Sequence, residues 1–92
     1  MAKAIGARAM VALANERRLE IVRLVSDREL SAGEIGARFD VSQPATSRNL
    51  RLLREAGILR ERRVGKRRLY RVDPGAAEPV RQVVAVLRPP TE

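Results

Sequence analysis

The 92-residue chain contains no cysteine and no histidine. Their absence excludes disulfides, thiolate and imidazole metal sites, and the commonest acid–base catalyst. Carboxylates alone hold hard cations weakly, and the sequence shows no preformed cluster of them, so no metal and no cofactor are expected. Long apolar runs are missing as well. The run from Ala9 to Ala14 is shorter than a signal-peptide core of roughly 7–15 residues, and Asn15-Glu16-Arg17-Arg18 cuts it off. Nothing approaches the roughly 20 apolar residues of a membrane-spanning helix. These absences lead us to expect a soluble, cytoplasmic protein with no membrane partner. There is also no phosphate-binding loop and no visible pairing of a nucleophile with a base, so an enzyme is not expected. No internal repeat or low-complexity tract is present.

Acidic residues are scarce: eleven Asp and Glu face nineteen Lys and Arg, for a formal charge of +8 and an isoelectric point near 11.5. So basic a domain suits a nucleic-acid partner. The excess is concentrated. Between Arg60 and Arg71, seven basic residues against Glu61 supply six of the eight net charges. The length fits a single domain over residues 1–92, near the size where one core is only marginally sufficient and pairing with a second copy is a common remedy.

Residues Ser42 to Gly57 organise the rest. Ser42 can cap a helix with its hydroxyl, Pro44 is tolerated in a first turn that lacks acceptors for its N–H groups, and Gly57 can supply a left-handed stop. Thr46, Leu50 and Leu53, flanked by Ala45 and Ala56, form a stripe fit to face a core. The opposite side is polar throughout, with Gln43, Ser47, Arg48, Arg51 and Arg54. Small polar groups near the N-terminus and arginines beyond them suit a helix whose N-terminal end enters a major groove.

Upstream, residues 3–13 place Ile5, Ala9, Ala12 and Leu13 at helical intervals with Met10 close by, and Gly6 weakens this segment. Asn15 is a cap for a second helix to about Ser26, with Arg18, Ile21, Val22 and Val25 as its stripe and Leu19 and Leu24 widening it. Asp27-Arg28-Glu29 reads as a polar turn. Ser31-Ala-Gly-Glu34 is a capping-box pattern opening a short helix, whose Ile35 and Phe39 face the core. Only Asp40-Val41 separates it from the Ser42 cap, so residues 31–57 read as a helix-turn-helix.

Beyond Gly57 the helical spacing breaks. A strand to Val64, a turn at Gly65-Lys66 and a return strand from Arg67 to Val72 form a hairpin, half buried at its base and cationic toward its tip, over about residues 58–73. Arg62, Arg63, Lys66, Arg67 and Arg68 surround the turn, and their mutual repulsion favours a polyanion partner over simple solvation. Asp73-Pro74 closes the hairpin. Val80, Val83, Val84 and Leu87 then repeat at i, i+3, i+4 and i+7 on a terminal helix of about residues 76–88, ended by Pro89-Pro90. This stripe could close the protomer's own core. We expect instead that it pairs with the first helix and with a second copy, making Ile5, Ala9, Leu13, Val80, Val83, Val84 and Leu87 the dimer interface.

The architecture expected is mainly α with a small β-hairpin, in the order α-α-α-α-β-β-α of a dimeric winged helix-turn-helix. The wording of the segments Ala12–Ile21, Glu34–Phe39, Val41–Leu50, Leu53–Leu59 and Gly65–Pro74 resembles the ArsR/SmtB family of bacterial transcriptional regulators, over about Ala12 to Pro74. The resemblance implies a homodimeric repressor on a palindromic operator in double-stranded DNA, with terminal helices at the dimer interface. It also implies DNA contacts early in the recognition helix, at Gln43, Pro44, Ser47 and Arg48 with Thr46 adjacent. Departures accompany it. Asn15-Glu16-Arg17-Arg18 stands where many members have Asp-Pro-Thr-Arg, Asn49 replaces a common histidine, and the segment Glu29–Gly33 lacks the cysteine pair of metal-sensing members. The effector is therefore open: a co-regulator protein, a non-metal ligand, or none. Two further classes compete with a sequence-specific repressor, namely a basic architectural DNA-binding protein of low specificity and a protein-interaction module acting through the terminal helix.

Overall fold

A computed structural model describes residues 5–87. The elements are α1 (Ala7–Leu13), α2 (Glu16–Leu24), β1 (Leu30–Ser31), α3 (Ala32–Phe39), α4 (Gln43–Glu55), β2 (Leu59–Val64), β3 (Arg67–Val72), a 3-10 turn (Pro74–Ala76) and α5 (Ala77–Leu87). The expected start of the first helix at residue 3 and the terminal Pro89-Pro90 lie outside the described residues.

Local chemistry sets most boundaries. Gly6 is the residue before α1 rather than a weak point inside it. Asn15 caps α2 by accepting from the Arg18 backbone N–H at 3.0 Å, and the helix ends at Leu24, two residues before the expected Ser26. At α3 the capping box is closed in both directions: Ser31 Oγ accepts from the Glu34 N–H at 3.1 Å and Glu34 Oε1 accepts from the Ser31 N–H at 2.8 Å. Asp40 ends α3 in the left-handed region at φ 53°, a conformation that a short polar side chain tolerates, and this bend sets the tight turn into α4. Ser42 Oγ then accepts from the Ala45 N–H at 3.3 Å. At the far end Gly57, with φ 80°, completes a Schellman stop: its N–H donates to the Arg54 carbonyl at 3.0 Å and the Ile58 N–H to the Leu53 carbonyl at 3.0 Å.

The wing has the expected register, from Leu59 opposite Val72 to Val64 opposite Arg67, around a two-residue turn at Gly65-Lys66 in which Gly65 takes φ 62°. One strand is unexpected. β1 pairs antiparallel with β3, Leu30 opposite Tyr70 and Ser31 opposite Leu69, giving a three-stranded sheet in the order β1-β3-β2. Two residues cannot display an alternating pattern, so the sequence gives no local signal for this strand.

The α-helices, together with the base of the wing, enclose one apolar cluster that includes Leu13, Ile21, Val25, Ile35, Leu50, Leu53 and Ile58, all essentially inaccessible, and Ala76 of the 3-10 turn packs against it. Phe39 is half buried at its edge, beneath the Arg17 guanidinium 5.0 Å from the ring centroid. Pro79 falls in the first turn of α5, where its missing N–H costs nothing. Four of the seven expected interface residues require correction here. Ala9, Leu13, Val80 and Val84 are buried within the single protomer, because α5 lays its valine stripe onto the chain's own core. Ile5 and Val83 are half buried against the same cluster and Leu87 is exposed. The apolar surface left on these two helices belongs to Met10 and Val11 of α1 and to Val86 and Leu87 of α5, with Val11 70% and Val86 79% exposed.

Candidate nucleic-acid interface

The Ser42 cap and Pro44 fix where α4 begins, and the buried Thr46, Leu50 and Leu53 fix its rotation about its axis. The outward face then carries Gln43, Pro44, Ser47, Arg48 and Arg51, all exposed. Thr46, grouped with them in the sequence, does not belong: it is 2% exposed and packs on α3, where a Cβ added to Gly36 would lie 3.1 Å from its Oγ1. Its side chain lies on the core side of α4, away from any groove-facing surface.

A lateral contact holds this helix. Arg18 reaches across from α2, donating from Nε to the Ala12 carbonyl at 2.6 Å and from a terminal nitrogen to Asn49 Oδ1 at 3.2 Å. One guanidinium thereby satisfies a carbonyl at the end of α1 and grips the residue after Arg48. Arg18 falls within the helical stripe of the sequence, but its partner lies 31 positions away, and no local pattern reports such a pair.

The wing cations divide into two groups. Arg62 makes a bidentate pair with Glu29 at 2.9 and 2.7 Å, Arg67 pairs with Glu34 at 3.1 Å, and Arg68 lies 3.7 Å from Glu61. Arg63 and Lys66 are exposed and form no ion pair among the described residues, as is also the case for Arg48 and Arg51. The pairing shows in the acids. The Arg62 hydrogen bond holds the Glu29 carboxyl below its ordinary value, and the same contact raises the Arg62 guanidinium. Glu34 is lowered first by the backbone N–H and hydroxyl of Ser31 and only to a lesser degree by Arg67.

Between α4 and the wing runs a groove of about 350 Å³ lined by Pro44, Ser47, Arg48, Arg51, Arg54, Glu61, Arg68 and Tyr70. Arg48, Arg51 and Arg54 recur every third residue along one wall, which places them on a single helical face. Arg54 stands out from the sequence only as part of that polar face, and Glu61 only as the acid among the wing's bases. Among the described residues no group of three or more Asp, Glu, His or Cys is gathered to hold a metal ion, and no helix is long and apolar enough to cross a membrane. A charged, exposed helix face beside a cationic hairpin can donate hydrogen bonds to base edges and charge to phosphates.

Comparison with known proteins agrees with this geometry. A family described as a helix-turn-helix domain matches residues 13–62. The chain is 48% identical over 63 residues to the arsenical resistance operon repressor of Escherichia coli, covering 67% of this chain and 54% of that protein. It is 37% identical over 81 residues to the biofilm growth-associated repressor of Agrobacterium fabrum, covering 87% and 69%. The chain thus spans only about half to two thirds of the length of these curated relatives. Among solved structures it is similar to the homodimeric winged helix-turn-helix DNA-binding domain of a possible ArsR-family regulator from Mycobacterium bovis, with a TM-score of 0.76 and 34% identity over 89% of this chain and 73% of that one. The matched segment contains both helices of the helix-turn-helix and the start of the wing, and on these grounds the chain belongs to the ArsR/SmtB family of winged helix-turn-helix regulators.

Proposed function

We propose that the protein is a cytoplasmic, sequence-specific DNA-binding regulator that represses transcription as a homodimer on a palindromic operator. The observation that carries this reading is the outward face of α4, where Gln43, Ser47, Arg48 and Arg51 are exposed, with no ion pair to either arginine among the described residues, next to a wing with the exposed cations Arg63 and Lys66. Gln can pair with adenine and Arg with guanine in a major groove, while the wing cations suit phosphates. The apolar residues exposed on α1 and α5 supply a surface for a second copy, which would set two recognition helices about 34–36 Å apart on successive turns of DNA. We assign the chain DNA binding and no catalytic step. Its effector is a co-regulator protein or a non-metal ligand, if it has one.

The test is selection of bound fragments from genomic DNA by the purified protein, followed by footprinting. The expected result is protection of one palindromic motif with many-fold preference over bulk DNA. Uniform coating of all fragments would make the protein a low-specificity architectural one. A chain that shifts no DNA at any salt concentration would instead be an interaction module working through α5.

A further inference from the structure

Glu61 is an acid in the wall of the groove between α4 and the wing, among Arg48, Arg51, Arg54 and Arg68. It stands on β2 directly across from Tyr70 of β3, and the Tyr70 hydroxyl donates to its Oε2 at 2.9 Å. Tyr70 is buried and the Glu61 side chain is only 25% exposed, so the carboxylate is held in place rather than free to swing into solvent. From there it faces two arginines, Arg54 of α4 at 4.0 Å and Arg68 of β3 at 3.7 Å, without a hydrogen bond to either. One negative charge therefore stands between two cations, one from each wall of the groove.

We propose that Glu61 is a specificity-determining residue that penalises non-specific DNA. This rests on the reading of the protein as a DNA-binding regulator. Non-specific complexes are held almost wholly by phosphate contacts and shift along the duplex. A phosphate passing through this groove meets a fixed carboxylate and must compete with it for Arg54 and Arg68. In a specific complex, base contacts from α4 fix the register, and the two guanidiniums can sit between carboxylate and phosphate and serve both. The like-charge cost thus falls mainly on the wrong sequences. Tyr70 acts as a positioning residue, since its hydrogen bond keeps the carboxylate in the groove.

The experiment compares wild type with Glu61→Gln, which retains an acceptor for Tyr70, and with Glu78→Gln, which removes the same charge from α5 outside the groove lining. Each is titrated with the selected site and with a scrambled duplex at several salt concentrations. Glu61→Gln is expected to bind scrambled DNA about five-fold more tightly at low salt and the selected site with little change, narrowing the ratio between them. Glu78→Gln is expected to keep the wild-type ratio. Tyr70→Phe, which keeps the charge but frees it, is expected to narrow the ratio by a smaller factor, and it carries the test if the Gln variant does not fold. Equal gains on both duplexes in Glu61→Gln, or the same change in Glu78→Gln, would reduce Glu61 to a contribution to net charge and overturn the proposal while leaving DNA binding intact. A wild-type protein that binds neither duplex would overturn the functional reading itself, and this proposal with it.

Discussion

Gly36 brings α3 so close to Thr46 of α4 that a Cβ at position 36 would lie 3.1 Å from Thr46 Oγ1 and 3.4 Å from the Val41 carbonyl oxygen. The helix-turn-helix is set at this contact, which fixes the face that α4 turns outward. Gly36→Val, with its branched side chain, is expected to lower stability by about 1–3 kcal/mol through overpacking, read as the shift in a urea melt. Thr46→Ser removes one buried methyl group and is expected to cost about 1 kcal/mol while leaving the preference between selected and scrambled DNA unchanged. An altered base preference in Thr46→Ser would return Thr46 to the DNA-contacting set.

Tyr70 offers an independent check on the groove. Burial raises its phenol above the ordinary value of 10.0, and the hydrogen bond to Glu61 and the charge of that carboxylate raise it further. A group that holds its proton more tightly in the folded state stabilises the fold fully below 10.0, and that contribution is lost as pH rises through the folded value. Tyr70 is the single tyrosine of the chain and there is no tryptophan, so phenolate absorbance reports it alone. The expected midpoint lies above 10.0 and moves down in Glu61→Gln without falling all the way, because burial remains. An identical midpoint in both proteins would mean that the Tyr70–Glu61 contact does not form in solution.

Dimerisation can be separated from folding because two valines only two positions apart on α5 face different sides of the helix. Val86 is 79% exposed, whereas Val84 is buried in the protomer. Val86→Asp is expected to yield a folded monomer by light scattering and to lose operator binding, while Val84→Asp introduces an unpaired charge into the core and loses the folded protomer. A stable dimer in both Val86→Asp and Val11→Asp would move the interface away from these exposed positions.

What could be read from the sequence follows the range of each interaction. Ser31, Ser42, Asn15 and Gly57 act on groups within a few residues of themselves, so their caps and stops are visible as spacing. The wing's turn and register follow from Gly65-Lys66 for the same reason. β1 was invisible because its partner strand lies about 40 residues away and it is too short to show a period. Val80 and Val84 show the other limit. Periodicity identifies an apolar face without saying whether the chain's own core or a second copy covers it, and here the core takes both. The charges of the wing were countable, but Glu29 and Glu34, the partners of Arg62 and Arg67, are brought to them only by the fold.

Those partners sharpen the distinction between affinity and specificity. A cation with no internal partner exchanges solvent ions for a phosphate when DNA binds, and its loss reduces the salt dependence by about 0.9 per contact. Arg63 and Lys66 fit that description, so Arg63→Ala and Lys66→Ala are each expected to weaken binding to all sequences alike and to flatten the salt slope by nearly that full amount. Arg62 is already engaged by both oxygens of Glu29, and DNA gains its charge only by giving up that pair. Arg62→Ala is accordingly expected to flatten the slope less than either. Gln43 and Arg48 stand on the outward face of α4, where a good bidentate contact discriminates between bases by roughly 1–3 kcal/mol. Replacing either with Ala is expected to change which bases are preferred more than it changes affinity for scrambled DNA. Titration of all five variants against both duplexes over a range of salt separates these effects. If the α4 variants lose affinity equally for both duplexes while the wing variants alter base preference, the two elements have the opposite roles.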